Sequence, residues 1–162
     1  MSQTPEVRIT LAAYIYSIEN DLKSMIKAYI VPNQINFDFF GNHDLVATAK
    51  ERFLKDNIGL APEDHIADVV EYVDFIDFIR IINKNKEFLP SKISSIIKKV
   101  STDIEKIAPI RNRTMHTRPL MYGDFSTVHA FIVECETHYS DVFIASVAVL
   151  KKSNLTHLIF LH

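Results

Sequence analysis

The chain has 162 residues, a net charge of −2 and a hydrophobic fraction of 48%. This length predicts one domain with a hydrophobic core that needs neither disulfides nor a metal ion. The single cysteine, Cys135, excludes an intramolecular disulfide and favours a reducing compartment, the cytoplasm. The longest uncharged apolar run, 142–150, is far shorter than the roughly 20 residues of a membrane span.

Helical periodicity dominates the first half of the chain, and no alternating strand pattern occurs. A first helix is predicted from Pro5 to Ile30, because apolar residues recur there at steps of three and four. Residues 33–41 are interpreted as a connecting loop with its aromatic side chains packed inward, and a second helix is predicted over 43–57. A third helix, 62–83, is apolar on most sides, which predicts the central helix of the fold or one that also packs on a partner.

The second half of the chain keeps the same periodicity. After Pro90 it predicts one long helix that Pro109 disturbs near its end. Residues 111–123 are interpreted as a functional connection. The last helix is predicted to run from Asp124, as its N-cap, to about Leu150. Together these elements predict an all-α, up-and-down bundle of four long helices plus one or more short ones.

Positive charge is concentrated in one part of the chain. Residues 80–118 hold ten Lys and Arg residues against three acidic ones. A local positive field favours a partner that carries phosphate groups. The alternative, for most of the lysines, is that they solvate a helix face.

The segment from Ile110 to Pro119 reads IRNRTMHTRP and holds the residues most suited to chemistry. Arg111 and His116, five positions apart, differ by about 140° on a regular helix and share no face. Asn112 and His116, four positions apart, do share one. A joint role of Arg111 and His116 therefore requires the helix to end or bulge between them, or a second copy of the chain to complete the pair.

Arg111, Asn112 and His116 form an Arg-Asn-x-x-x-His motif between a long helix and a final helix. In an all-helical chain of this size, the motif resembles that of the HEPN superfamily. The continuation from Met115 to Pro119 is similar to HEPN modules of bacterial toxin and phage-defence systems. The resemblance covers nearly all of residues 1–162 and implies a HEPN-like domain, either a free toxin or one module of a longer protein. The resemblance also implies a partner, which is either an antitoxin or a fused or associated NTPase or sensor domain.

The resemblance implies an endoribonuclease that uses no metal or other cofactor, while the short apolar runs of the chain predict no membrane contact. It implies a homodimer in which two motif copies line one cleft, and an RNA 2′-OH that attacks to leave a 2′,3′-cyclic phosphate. In that chemistry His116 transfers protons, Arg111 binds the scissile phosphate, and Asn112 orients His116 or contacts phosphate. Arg113 and Arg118 are expected to bind the flanking phosphates.

Each of these interpretations has an alternative. Glu71 and Asp74 are candidate acidic partners of Arg111, as some members of the family have, but a solvated or salt-bridged helix face is the better interpretation of both. The alternative for Arg111 and His116 is a structural role, in which they bind the free carbonyl groups at a helix C-terminus and interact favourably with the helix dipole. For Cys135, core packing is a better interpretation than metal binding. For the whole chain, the alternative is a non-catalytic HEPN-like dimer that docks a partner protein or a nucleotide, which the high apolar content favours.

Overall fold

The structure is a computed structural model that describes residues 4–160, with side chains described as far as residue 154. Within this range every regular element is helical, which confirms the predicted all-α class. The seven α-helices of the described range are α1 (Pro5–Met25), α2 (His43–Asp56), α3 (Ile66–Val69), α4 (Phe75–Lys84), α5 (Ser91–Met115), α6 (Asp124–His138) and α7 (Ile144–Phe160). None of the described helices is both long enough and apolar enough to cross a membrane.

The chain divides into two compact units. The internal unit is Leu22–Ser101, and the terminal unit combines the chain up to Asp21 with the chain from Thr102 onwards. The boundary between them falls within α1 and α5, so both helices contribute residues to both units. The sequence predicted one domain over residues 1–162 and contains no linker that marks this division.

The first two predicted helices are confirmed. α1 is extended by a π-helical turn, Ile26–Ile30, to the predicted end. The aromatic side chains of the following connection are buried, as predicted, and pack edge to face: Phe37, Phe39 and Phe40. The side-chain oxygen of Asn42 then caps α2 by accepting hydrogen bonds from two backbone N–H groups of its first turn, at 2.8 and 3.2 Å.

The prediction of one helix over 62–83 is wrong. A 3₁₀ turn, the one-turn helix α3 and a second 3₁₀ turn precede two extended residues, Val73 and Asp74, and α4 begins only after them. Apolar residues occur on most sides of this segment because they belong to separate short elements. Arg52 of α2 holds the break, since its guanidinium donates to the carbonyl of Tyr72 at 3.0 Å and to the carboxylate of Asp74 at 2.9 Å.

The prediction of one helix from Asp124 to about Leu150 is also wrong, because α6 ends at His138 and α7 begins at Ile144. The carboxylate of Asp21 in α1 accepts hydrogen bonds from the backbone N–H groups of Ala145 and Ser146, each at 2.9 Å. It also accepts one from the Ser146 hydroxyl at 2.7 Å. Asp21 therefore caps α7 from another helix.

The prediction of one long helix after Pro90 is confirmed, and the end of this helix determines where the motif lies. α5 has 25 residues and continues through Pro109, whose side chain is exposed. The connection predicted over 111–123 is consequently shorter, and only residues 116–123 lie between α5 and α6.

Candidate functional site

α5 ends between the two main residues of the motif. Its last residue is Met115, so Arg111 and Asn112 are in its final turns and His116 follows its end. Arg111 is partly buried, whereas Asn112 and His116 are exposed. The backbone N–H of His116 still donates to the carbonyl of Asn112 at 3.1 Å, so helical hydrogen bonding continues as far as His116. A joint role of Arg111 and His116 therefore requires the other predicted arrangement, in which a second copy of the chain completes the pair.

The turn after α5 is a left-handed helix end. The backbone N–H of Arg118 donates to the carbonyl of Arg113 at 3.0 Å, and Thr117 has a φ of +52°. Glycine is usual at this position, because a Cβ in the left-handed region costs about 1–2 kcal/mol. Thr117 is the one residue other than glycine with positive φ in the described part of the chain. Backbone strain of this kind tends to occur at functional sites.

Arg8 of α1 stabilises the same turn. Its guanidinium donates to the carbonyl oxygens of Arg113, Thr114 and Arg118 at 3.2, 3.0 and 2.6 Å. The last carbonyls of a helix lack helical partners, and the helix dipole favours a cation beside them. Sequence reasoning missed Arg8, because a lone basic residue near the start of a helix has no distinctive pattern.

Arg113 has a partner within the chain in place of the phosphate that the sequence predicted. Its Nε and Nη2 donate to the two carboxylate oxygens of Asp124 at 2.9 and 2.7 Å. Asp124 is 4% exposed and also accepts a hydrogen bond from the backbone N–H of Met121 at 2.8 Å. The prediction of Asp124 as an N-cap is corrected too, since α6 follows Gly123 and Asp124 is its first residue.

The charges of this pair stabilise each other. Burial opposes ionisation of the Asp124 carboxyl, but the hydrogen bonds from Arg113 and Met121 outweigh it, so the pKa of Asp124 lies below its usual value. The hydrogen bond to Asp124 likewise raises the pKa of Arg113, against the effect of desolvation. Both groups are therefore ionised at neutral pH.

Arg111 has an acidic partner on α1. Its Nε donates to Oε1 of Glu19 at 3.2 Å, and the two side chains are 27% and 12% exposed. The Nη groups of Arg111 donate to no other residue in the described part of the chain. Glu19 thus orients the guanidinium and leaves the Nη groups available. A signal for Glu19 exists in the sequence, because it flanks the apolar stripe of α1, where a charged side chain needs a partner.

The two acidic residues that the sequence offered as candidate partners of Arg111 form ion pairs with other residues. Glu71 forms an ion pair with Lys23 at 2.9 Å and another with Lys27. Asp74 pairs with Arg52 at 2.9 Å. All of these residues belong to the internal unit, and the acidic partner of Arg111 is Glu19 instead.

The connection 116–123 presents several side chains to solvent. His116 and Arg118 are exposed, and neither side chain makes a hydrogen bond or ion pair with the described residues. Met121 is 58% exposed and Tyr122 is 95% exposed. Arg118 therefore remains available for the predicted phosphate contact, whereas Arg113 does not.

The structure contains no candidate metal centre among its described residues. No three of their His, Cys, Asp or Glu side chains are grouped so as to hold an ion. Cys135 is fully buried, and this burial raises the pKa of its thiol far above the usual value. Such a thiol is neither a ready nucleophile nor a ready ligand.

The chain matches no protein-family model, no curated protein and no solved structure. The resemblance to the HEPN superfamily therefore depends on the motif and on its place in an all-helical chain. Two features of the structure favour a chemical role for the motif: the contact of Arg111 with Glu19 and the left-handed turn after Met115.

Proposed function

We propose that the chain is a HEPN-type endoribonuclease that cleaves RNA without a metal ion and acts in the cytoplasm as a toxin or effector of bacterial phage defence. The observation that carries the proposal is the placement of Arg111 in the last turns of α5 and of His116 directly after its last residue. A guanidinium oriented by Glu19 and an exposed imidazole there precede the strained turn at Thr117, which Arg8 stabilises.

The proposed reaction uses the RNA's own 2′-OH as the nucleophile. A bond forms between the 2′-oxygen and phosphorus, and the bond from phosphorus to the 5′-oxygen breaks, which gives a 2′,3′-cyclic phosphate and a 5′-OH. His116 takes the proton from the 2′-OH while water protonates the leaving 5′-oxygen, or His116 protonates the leaving 5′-oxygen while water takes the proton from the 2′-OH. The Nη groups of Arg111 stabilise the charge that develops on the phosphate. Asn112 contacts phosphate or orients His116, and Arg118 binds a flanking phosphate.

Exposed apolar side chains of the terminal unit support the homodimer. Ile9 and Tyr16 of α1 are 69% and 59% exposed and lie two helical turns apart, on the same side of the helix. Met115, the last residue of α5, is 39% exposed. Apolar side chains of this size at the surface favour an interface between copies of the chain, near the motif that each copy contributes.

The test is cleavage of total RNA and tRNA in EDTA, with the product ends mapped. We expect cyclic-phosphate ends from the wild type, and a rate at least about 100-fold lower for His116→Ala and Arg111→Ala. His138→Ala is the matched control, because His138 is an exposed histidine outside the motif. Cleavage that persists in His116→Ala at the wild-type rate would refute the assignment.

A non-catalytic HEPN-like dimer that binds a partner is the second candidate. Exposed apolar side chains near the end of α2 favour it, since Ile58 is 90% exposed and Leu54 and Leu60 are 42% and 43% exposed. Such a patch suits a protein partner, such as a sensor NTPase or an antitoxin. This candidate predicts a stable dimer that turns over no RNA in the same assay.

A further inference from the structure

The internal unit contains a cavity of about 470 Å³ beside the start of α2. Small-molecule sites usually occupy about 300–1,000 Å³. The connection before α2, the first half of α2, the 3₁₀ turn before α3 and the end of α4 all contribute to its walls. Its lining includes Ile35, Phe37, Asp38, Gly41, Val46, Lys50, Glu63 and Lys84. The Arg-Asn-x-x-x-His motif belongs to the terminal unit and supplies no residue to this cavity.

Four of the lining side chains are acids or lysines, and two of them neutralise each other. Nζ of Lys50 forms an ion pair with Oε1 of Glu63 at 2.9 Å and lies 4.7 Å from the centre of the Phe37 ring. The hydrogen bond from Lys50 holds the pKa of Glu63 below its usual value. This pair is complete before any ligand binds, so it leaves no unpaired charge in the cavity.

The other two, Asp38 and Lys84, have opposite charges and are unpaired. Neither side chain makes a hydrogen bond or ion pair with any residue in the described part of the chain, including each other. They are nevertheless close, because the N–H of Gly41 donates to the carbonyl of Asp38 at 3.0 Å and the Lys84 side chain lies over Gly41. A Cβ at position 41 would be 2.6 Å from Nζ of Lys84, so the glycine leaves the room that the lysine occupies. One 3₁₀ turn thus separates an unpaired carboxylate from an unpaired ammonium group.

Apolar side chains form another part of the lining. The Phe37 ring is buried in the core of the unit, with 7% of its surface exposed. Ile35 is 94% exposed, so its side chain gains almost nothing from folding. A ligand with an apolar group would remove part of the Ile35 surface from water, which favours binding.

We propose that this cavity binds a small zwitterion of the α-amino-acid class with an apolar side chain. Asp38 accepts hydrogen bonds from the ammonium group of the ligand, Lys84 donates to its carboxylate, and its side chain packs against Ile35, Phe37 and Val46. One carbon atom joins the two charged groups of an α-amino acid, so a single small ligand can contact both residues. A simple anion would leave Asp38 unpaired beside it, and a simple cation would do the same to Lys84.

The experiment is isothermal titration calorimetry of the full chain with matched ligands. The probes are L-leucine, 4-methylpentanoate, which lacks the ammonium group, and 3-methylbutylamine, which lacks the carboxylate. L-phenylalanine and its two corresponding analogues form a second series. We expect saturable binding of at least one of the two amino acids, with both of its analogues at least about tenfold weaker, because each analogue loses charge-assisted hydrogen bonds. Failure of both amino acids to bind overturns the proposal, as does an analogue that binds as tightly as its amino acid.

Two variants assign the charged groups of the ligand to their partners. Asp38→Asn should weaken binding of the amino acid at least about tenfold and change binding of the carboxylate analogue less than about twofold. Lys84→Gln should have the same effect on the amino acid and spare the amine analogue instead. Lys86→Gln is the matched control, because Lys86 is a lysine of the internal unit that does not line the cavity. Wild-type affinity in both cavity variants, or an equal loss in the control, shows that the ligand binds elsewhere and overturns the proposal.

The ligand site and the proposed ribonuclease can be tested separately. His116→Ala should bind the amino acid with the wild-type affinity, since the motif contributes nothing to the cavity. A loss of more than about tenfold in that variant contradicts the placement of the ligand in the internal unit. The comparison of each amino acid with its analogues uses the wild-type protein, so its outcome is independent of how any variant folds.

Discussion

The internal and the terminal unit use their charged residues differently. In the internal unit most acidic members of the ion pairs are exposed, with Glu71 at 41%, Glu63 at 63% and Asp74 at 58%, and Asp77, at 18%, is the exception. In the terminal unit the acidic partners of Arg111 and Arg113 are largely buried, with Glu19 at 12% and Asp124 at 5%, and Asp21, which accepts hydrogen bonds from Ala145 and Ser146, is 5% exposed. The terminal unit, which carries the Arg-Asn-x-x-x-His motif, thus depends on buried carboxylates.

This difference shows which charges hold the structure together. Exposed pairs contribute at most about 1 kcal/mol, because water screens them and ordering the side chains costs entropy. A buried carboxylate must keep its partners, since an unpaired buried charge costs several kcal/mol. Each buried carboxylate of the terminal unit acts at a helix end. Glu19 holds Arg111 near the end of α5, Asp124 holds the connection after it, and Asp21 caps α7.

The largest expected effect comes from Asp124→Ala. The substitution leaves the Arg113 guanidinium without its bidentate partner and the Met121 N–H without its acceptor. We expect the free energy of unfolding in urea to fall by about 3 kcal/mol. Asp74→Ala is the control from the internal unit, where the loss should stay below about 1 kcal/mol. Equal losses in the two variants would contradict the comparison.

The pH dependence of unfolding tests the same pair. The pKa of Asp124 in the folded state lies below its usual value of 3.8. The pair therefore stabilises the fold above about pH 4, and this stabilisation is lost as the pH falls through the folded-state pKa. An Asp124→Asn variant should lack this part of the acid sensitivity. The checking measurement is the difference between the wild type and the variant in urea midpoint from pH 6 to pH 2.

A smaller effect is expected for Asp21→Ala, which removes the cap of α7. Loss of an N-cap costs about 1–2 kcal/mol. Hydrogen exchange should show faster exchange at the amides of Ala145 and Ser146, which donate to Asp21. Asn42→Ala removes the local cap of α2 and is the matched control, with faster exchange confined to α2. Unchanged exchange at Ser146 in Asp21→Ala would show that α7 needs no such cap.

The smallest effect is expected for Thr117→Gly, which relieves the left-handed strain after α5. We expect stabilisation of about 1 kcal/mol or less, because part of the relief is offset by the greater freedom of glycine in the unfolded chain. Differential scanning calorimetry should show a higher Tm. Gly123→Ala is the reverse control at a φ of +90°, where a Cβ would meet only Ser126 Oγ at 3.9 Å. That variant should lower the Tm through backbone strain alone.

Local signals in the sequence determined several elements of this protein. α1, α2 and α5 follow from continuous apolar stripes, and the all-α class follows from the same periodicity. Pro5 and Pro90 mark the starts of two of these helices, because proline is tolerated near a helix N-terminus but not in its interior. The Arg111, Asn112 and His116 motif is likewise read from the sequence alone, but the sequence placed it in the connection after the long helix, whereas Arg111 and Asn112 lie within α5.

Only the tertiary structure decided where the predicted helices are interrupted and which residues surround the motif. The break before α4 is held by Arg52, and the break before α7 by Asp21, each from a different helix. Arg8 and Glu19 reach the motif from α1, about a hundred residues away in the sequence. Helical periodicity records which face of a segment is apolar, but a hydrogen bond between distant residues leaves no period in the sequence. For that reason the sequence predicted the motif but not the residues that orient it.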